Sequence, residues 1–590
     1  MIMRLLPSTP RSASAGYALM LTLLFISVTL LVLAGLGHWT FTESAVTARN
    51  NAFNGSVAAA EGATEVVIAR MDQDFLHQTL STSVAGYSGI LPGTLVTNGW
   101  PADYQFSDGR GNNNKTDIEC VSWQQWTNLD SGFVGLHGIV NSYQITANAT
   151  KLTGLYPVSA GVRQVVQFIS IPIFQFAIFY AMDLEINPGA PMIVTGKTHG
   201  NADIYLAPGS SLTFQDTVSY VGSVYLHRDA GDPTGGTSTT PVFNGAPQEE
   251  QVSAMTLPVG TDNNPTNVVQ ILDMPPAGES PQSPVGSQRL YNHADLVILA
   301  TNDSVTVQFN NYEDGTGYTL VPTNAVGSGS TGYSFVNTNL SFYDYREGKT
   351  VMGTEIDIQA LTNWLASAGG YSFNVLAQSR LGHQINSIYV KDQRSGAGKL
   401  TAVRVANGRY LPSDGLTVAT PCPLYVKGNF NAPDLTVGLT NTAQVKPASF
   451  LADSITVLSG QWSDTNSAAT TLAQRPAANT TVNAAFLAGI VPTATDAGGQ
   501  GHYSGGVENF PRFLENWNGS AMTYNGSMVV LFPSRYATNY WIAPGTYYNP
   551  PTRDWAFDMN FLQQNKLPPA TPQVRTLQRG DWSVVAASGN

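Results

Sequence analysis

Residues 18–37 read ALMLTLLFISVTLLVLAGLG, twenty positions from Ala18 to Gly37 without a charge. As a helix such a run is about 30 Å long, which matches the hydrocarbon thickness of a bilayer. Arg4 and Arg11 precede it and no acidic residue does, so the amino terminus is expected to stay in the cytoplasm and the remainder to be exported. A cleaved secretory signal has a shorter apolar stretch, about 7 to 15 residues, and leaves it through a small-x-small site. This run is longer and exits through Leu36-Gly37-His38-Trp39. A plain signal anchor fits it, and so does the membrane half of a longer helix.

The next thirty or so residues point to the longer helix. Residues 43–72, ESAVTARNNAFNGSVAAAEGATEVVIARMD, contain no proline. Small and apolar side chains recur along one side at Ala45, Ala52, Val57, Ala60, Thr64 and Val67, with polar groups elsewhere. The expectation is one helix from about Ala18 to about Leu80, apolar all round at first and amphipathic afterwards. Gly37 and Gly55 are its weakest points, since glycine costs up to about 1 kcal/mol relative to alanine inside a helix.

These residues carry a resemblance. The leader ending in Gly16, followed by Tyr17-Ala18-Leu19 and the apolar run, resembles the class III signal of type IV pilins and pseudopilins. Asn50-Asn51-Ala52-Phe53 leading into Ala58-Ala59-Ala60-Glu61-Gly62-Ala63 is similar to the amino terminus of PilX-type minor pilins. The resemblance implies that a prepilin peptidase cuts between Gly16 and Tyr17, and that the partners are the inner membrane and other pilins or pseudopilins. One position departs from it. Major pilins carry a glutamate five residues into the mature chain, and here that place is taken by Leu21. A buried carboxylate is costly without a partner, so its loss resembles a tip or minor subunit rather than a major pilin.

Composition bounds the rest. Charged residues make up 12% of the 590, about half the usual share, and 56 Gly and 34 Pro stand in their place. That mix favours short strands and turns over helices. The net charge of −12 argues against nucleic acid as a partner. The two cysteines, Cys120 and Cys422, are a candidate disulfide, and sequence leaves open whether they meet.

From about Ser81 the chain reads as β. Val165–Ile171 and Ile173–Tyr180 are strand-like. Short apolar pieces recur at Leu184–Ile186, Met192–Val194, Ile204–Leu206, Leu212–Phe214, Val218–Val221 and Val224–Leu226, separated by Gly, Asn, Asp or Pro. A second series comprises Leu416–Val418, Leu424–Val426, Leu435–Val437, Ser449–Ala452, Ile455–Leu458 and Ala484–Ile490. Both fit a β-solenoid-like ectodomain, and a β-sandwich-like one fits nearly as well. Ile356–Leu365 is the best helix candidate outside the stem, and the last hundred residues are rich in Tyr, Trp and Phe. The strings PIFQFAIFY, GKTHGNADIYLAPG, FYDYREGK, PLYVKGNFN, GGVENFPRFLENW and YYNPPTRDW are similar to the carboxy-terminal region of large bacterial PilX-like proteins.

Candidates for chemistry are few. Glycoside hydrolysis needs two carboxyls roughly 5 to 10 Å apart, and Asp183/Glu185, Glu508/Glu515 and Asp554/Asp558 are the pairs to weigh. A solvated strand edge accounts for the first pair. Pairing with Arg512 or helix capping accounts for the second, and an ion pair at Arg553 for Asp554. His199 and His227 would approach each other only if residues 196–200 and 224–228 stack. GxSxG, HExxH, P-loop and CxxC patterns are missing from the sequence, and no catalytic residue, metal or cofactor is expected.

The expected organisation is a leader over 1–16, a transmembrane and amphipathic helix over 17–80, an irregular β subdomain over 81–164, a β-rich region over 165–400 and a second one over 401–590. The expected protein is mainly β: a non-enzymatic, minor pilin-like subunit that displays its ectodomain for assembly or adhesion, with a surface glycan or a protein as ligand. A membrane-anchored carbohydrate-active enzyme and a signal-anchored envelope protein outside any filament are the competing readings.

Overall fold

The computed structural model describes residues 15–93, 103–130, 133–153, 157–236, 238–246, 248–259, 264–310, 318–322 and 332–587. All of the expected leader except residues 15 and 16 lies outside these. One helix, Ala15–Leu76, runs unbroken for 62 residues. The stem is therefore a single rod, as its lack of proline predicts. Its two suspected weak points differ in kind. A side chain at Gly37 would meet nothing within 4 Å, whereas an added Cβ at Gly55 would come within 2.5 Å of the Tyr104 hydroxyl. Glycine at 55 thus lets the first strand of the head close onto the helix.

The far half of the stem lies on an antiparallel base sheet. Its central strand, Val158–Pro172, pairs with His137–Lys151 on one side and with Gln573–Val585 on the other. Tyr104–Ser107 and Asp117–Asn128 both pair with the outer side of His137–Lys151. Val158, Val162, Val165, Val166, Phe168, Ile169 and Ile171 give this segment the β-branched and aromatic content that suits a strand covered on both edges. The expected boundary between residues 164 and 165 falls inside this strand, and a strand from the far end of the chain completes the sheet.

Beyond the base, the backbone coils into short parallel strands. Ile178–Tyr180, Thr198–Gly200, Val218–Tyr220 and Glu249–Gln251 form one ladder. Leu184–Ile186, Ile204–Leu206 and Val224–Tyr225 form a second, and Met192–Val194, Leu212–Phe214 and Val242–Phe243 a third. From residue 178 to 225 the first two ladders step by twenty residues, and the last step of the first, from Val218 to Glu249, is 31. The corners are satisfied by the same columns: at exposed corners Asp203 N donates to Asp183 Oδ1 and Ser223 N to Asp203 Oδ1, and at a buried one Ala207 N donates to Asn187 Oδ1.

A second stack has the same plan. Ser387–Asp392, Leu416–Ala419, Ala448–Ala452, Ala485–Ala488 and Met528–Val530 stack in parallel, and the last of these pairs with Ile178–Tyr180. The two β-rich regions expected from sequence therefore share one continuous sheet, and the boundary placed at 400/401 cuts strand Lys399–Ala406. Aromatic rings line the interior from coil to coil: Phe430 to Phe450 at 4.5 Å, Phe450 to Phe486 at 5.8 Å and Phe486 to Tyr524 at 4.8 Å between centroids. All six short apolar pieces of the first series are strands. The polar strand Thr198–Gly200 escapes a search for apolar runs, Leu435–Val437 is not a strand, and Ile173–Gln175 is a single 3-10 turn. The helix expected at Ile356–Leu365 begins two residues later, at Ile358, because Lys349–Asp357 is a strand and Asp357 caps the helix by accepting from Ala360 N. A second helix, Ala368–Leu381, comes next, unannounced by any apolar period.

The candidate disulfide does not form. Cys120 lies half-buried in the base sheet with its Sγ 3.7 Å from Ser122 O, and Cys422 lies buried in the second stack with its Sγ 3.9 Å from Asp392 O. Each thiol belongs to a different core.

Candidate functional site

The stem divides into a bare half and a seated half. From Tyr17 to Phe41 the large apolar side chains stand exposed, Tyr17 by 76% and Leu21 by 50%. This stretch is long and apolar enough to cross a membrane. Its hydroxyls make no outside demand: Thr22 donates to Ala18 O at 2.9 Å, Ser27 to Leu24 O at 2.9 Å, Thr29 to Phe25 O at 2.7 Å and Thr40 to Leu36 O at 2.8 Å. Such back-bonding to the preceding turn is how a hydroxyl tolerates a lipid environment. Gly16 and Tyr17 lie within the first turns of the helix, and Leu21 faces outward one turn further on.

The seated half begins where small residues begin. Ala59, Ala60 and Ala63 are fully buried against Phe106, Ala147, Ala149 and Val162, so helix and sheet approach closely. One turn later larger side chains take over: Val67, Ile68, Met71 and Phe75 pack on Tyr143, Ile145, Val166 and Phe168. The Phe75 and Phe168 centroids lie 5.3 Å apart.

Polar contacts fix the register of this seat. Gln164 Nε2 donates to Thr64 Oγ1 at 2.8 Å and to Glu65 Oε1 at 2.9 Å. Arg579 grips Glu65 with both terminal nitrogens, Nη2 to Oε2 at 2.7 Å. That hydrogen bond holds the Glu65 carboxyl below its usual range. Ser56 Oγ donates to Val158 O at 2.8 Å, and Tyr87 Oη to Asp74 Oδ2 at 2.7 Å. Arg575 lies over the Phe75 ring, 4.5 Å from guanidinium carbon to centroid, and burial pushes its pKa down to about 10. The clamp comes from the last strand, Gln573–Val585.

The carboxylates expected as pairs are separated by the coil. Glu185 is 4% exposed; its Oε1 accepts from Ser504 Oγ at 2.8 Å and from Thr493 Oγ1, while Oε2 has no partner among the described residues. Burial raises its pKa to about 7, against those two hydrogen bonds and with help from Asp232 and Asp229. Asp183 sits at the exposed corner before it. The cavity beside Glu185 measures only about 10 Å³, too small for a ligand. Glu508 accepts from Asn187 N at 3.3 Å and from Tyr503 Oη at 3.1 Å. Glu515 accepts from Ser459 N at 2.6 Å and Ser459 Oγ at 2.7 Å, 56 residues away along the chain. Arg512, expected to pair with one of these two, pairs instead with Glu347 at 2.9 Å. Arg553 donates to the Glu508 carbonyl at 2.8 Å, and Asp558 accepts from Thr442 Oγ1 at 2.6 Å.

The structure brings together two acids that the sequence does not pair. Tyr180 and Tyr503 both feel Glu185 and Glu508, and burial first, then these charges, lifts both phenols well above their usual range. No local signal marks the association, because Glu185 and Glu508 reach it from opposite ends of the β region. The two histidines do not meet. Residues 198–200 stack under 218–220 and residues 204–206 under 224–225. His199 is buried between Ser219 Oγ and Asn201 Oδ1, both at 2.9 Å, and burial lowers its pKa to about 4. His227 stands exposed against Tyr225, 5.2 Å between centroids. Among the described residues no group of three or more His, Cys, Asp or Glu side chains is placed to hold a metal ion.

Comparison with protein-family profiles, with curated proteins and with solved structures returned no match.

Proposed function

We propose that this chain is a minor pilin-like structural subunit whose stem enters a type IV pilus or pseudopilus and whose large head is displayed at its tip or surface. The observation that carries the reading is the division of one continuous helix into a bare apolar half and a half seated on an antiparallel sheet. A helix needed only as a membrane anchor has no use for the further 30 or so residues that form the mount. In this reading the bare half resides in the inner membrane before assembly and among neighbouring stems afterwards, with the head on the periplasmic or outer side. The stacked ladders are read as a β-solenoid, which supplies a stiff spacer. The prepilin peptidase processes the leader after Gly16, and Tyr17 becomes the first residue of the mature chain.

The test is the mass of the mature amino terminus in cells with and without an active prepilin peptidase. Loss of Met1 to Gly16 only when the peptidase is present supports the assignment. Retention of the leader in both strains leaves a signal-anchored envelope protein and ends the pilin reading. Placement within the filament is tested by Leu21→Glu. A tip subunit is expected in sheared filaments at equal or lower abundance than wild type, and a clear rise would show competition for body positions.

A further inference from the structure

A polar groove of about 690 Å³ opens at one end of a second parallel sheet. It runs across the carboxyl ends of parallel strands. Lys349–Asp357, Lys399–Ala406, Leu424–Lys427 and Ile455–Leu458 pair in parallel, their last residues Asp357, Ala406, Lys427 and Leu458 lie in register, and the groove opens just beyond them. Strands in a ladder are spaced about 4.8 Å apart, so four rungs offer a contact repeated along about 14 Å. One strip of its floor has no side chains: a Cβ built on Gly428 would lie 3.7 Å from the Gly460 Cα, and one built on Gly460 would meet nothing.

The wall chemistry selects the occupant. Glu355 is neutralised by Arg404, which also grips Asp464 at 2.6 and 3.0 Å. Asp357 is occupied by Ala360 N at 2.8 Å and Asn407 Nδ2 at 2.7 Å. Lys427 and Arg409 form no ion pair within 4 Å among the described residues: Lys427 acts on Asp464 and Arg409 on Asp434 only at longer range, and Arg409 holds its place by donating from Nε to Ala432 O and from Nη2 to Pro433 O, both at 3.3 Å. Tyr410 is 51% exposed at the groove and is braced by Arg409, whose Cζ lies 5.1 Å from the ring centroid. Helix Ile358–Ala366 adds the planar amides of Gln359 and Asn363 along one wall.

We propose that this groove binds an acidic polysaccharide, a chain of uronate-type sugars lying across the strand ends. The repeat of the rungs suits a polymer of similar period. Planar amides pair with vicinal hydroxyls, the tyrosine ring offers a face for a pyranose, and Lys427 and Arg409 meet the carboxylates. A peptide would need apolar anchor pockets, which this wall lacks, and a nucleic-acid strand would need a row of aromatic faces for its bases, where the groove offers the single ring of Tyr410. The proposal names a ligand for the displayed head but does not depend on filament membership, so it and the peptidase experiment fail separately.

The test uses the full chain in detergent and a panel of polygalacturonate, alginate and hyaluronan, with dextran and cellohexaose as neutral controls, measured by calorimetry and affinity electrophoresis. At least one uronate polymer is expected to bind in preference to both neutral controls, more weakly as salt is raised. Gly460→Trp, at an exposed site where a side chain meets no neighbour, should weaken that binding by at least about tenfold with an unchanged melting temperature. Lys427→Gln should weaken it several-fold and flatten the salt dependence. Failure of all three uronates to bind, equal binding of neutral chains, or full binding by Gly460→Trp would each overturn the proposal.

Discussion

The two halves of the stem are one helix in two environments, and they invert the usual relation between apolarity and burial. Leu19 to Leu36, the most apolar residues of the chain, are bare, while five of the nine buried positions of the helix are small or polar: Ser56, Ala59, Ala60, Ala63 and Thr64. In water such exposure would be penalised by about 25 cal/mol per Å² of apolar surface. In a bilayer or a bundle of other stems it is not. Small residues in the seated half do a different job, bringing the helix axis close enough for Val67, Ile68, Met71 and Phe75 to reach the sheet. Exposure on the first half and tight packing on the second are thus two parts of one design.

This contrast can be broken at its seated end with the largest effect. Phe168→Ala removes the ring beneath Phe75 and Tyr143, and a loss of about 3–5 kcal/mol is expected in the unfolding of the base sheet. Chemical denaturation of the full chain in detergent checks it, and a change below about 1 kcal/mol would mean that the seat is not a packed core. The bare half should be silent in that assay and vulnerable in another. Leu30→Arg places a charge near the middle of the apolar run at a cost of about 2.5–3.5 kcal/mol for membrane insertion. Its expected outcome is a fall in the carbonate-resistant membrane fraction with the melting of the head unchanged.

A pH effect of similar size belongs to neither half and must be separated from both. Glu185 has a folded pKa of about 7 against 4.5 for the ordinary group, so it is protonated in the fold and loses its proton on unfolding. The unfolded chain then binds fewer protons between those values, and stability falls as pH rises from about 4.5 to 7, by about 3 kcal/mol in all. Glu185→Gln should remove its own share of this slope and melt higher than wild type at pH 8, leaving the slope of the same sign that Glu515 contributes. A wild-type melting temperature flat between pH 5 and 8 would contradict the buried carboxylate.

The smallest effect sharpens the seat itself. Glu65 is held below its usual pKa by Arg579, so its contribution is present at neutral pH and disappears as pH falls through the folded value. The pair is partly exposed, and Arg579→Gln should cost only about 0.2–1 kcal/mol at pH 7 and progressively less as Glu65 becomes protonated in acid. Salt titration of the wild type should reproduce part of the loss.

Much of the fold is legible from local pattern. A charge-free run joined to proline-free alanine spacing is enough to specify the stem, because a helix depends on neighbours within a turn. The short strands at Leu184–Ile186 and its five companions declare themselves by apolar content between corner residues. Other features depend on distant partners. Thr198–Gly200 is a strand because two neighbouring coils pair with it, although Thr-His-Gly has no apolar signature. A boundary at 164/165 cuts Val158–Pro172 because the second partner of that strand, Gln573–Val585, lies some 400 residues away. Nearness in sequence pairs the carboxylates one way, whereas the fold joins Glu185 to Thr493 and Ser504, some 300 residues further along the chain. Within the groove, Asp357, Lys427 and Gly460 share no motif; they meet because their strands end in register.

The return of Gln573–Val585 to the base sheet also sets a schedule. The stem and the first three long strands emerge early in synthesis, but one edge of Val158–Pro172 stays unpaired, and Glu65 stays without Arg579, until residue 585 has emerged. Pairings of such long separation are slow to close. Throughout that interval the chain holds an open strand edge beside a bare apolar rod, the combination most prone to joining the wrong neighbour. Completion of the base sheet can therefore be read at a single place, the strand Gln573–Val585 beside the stem.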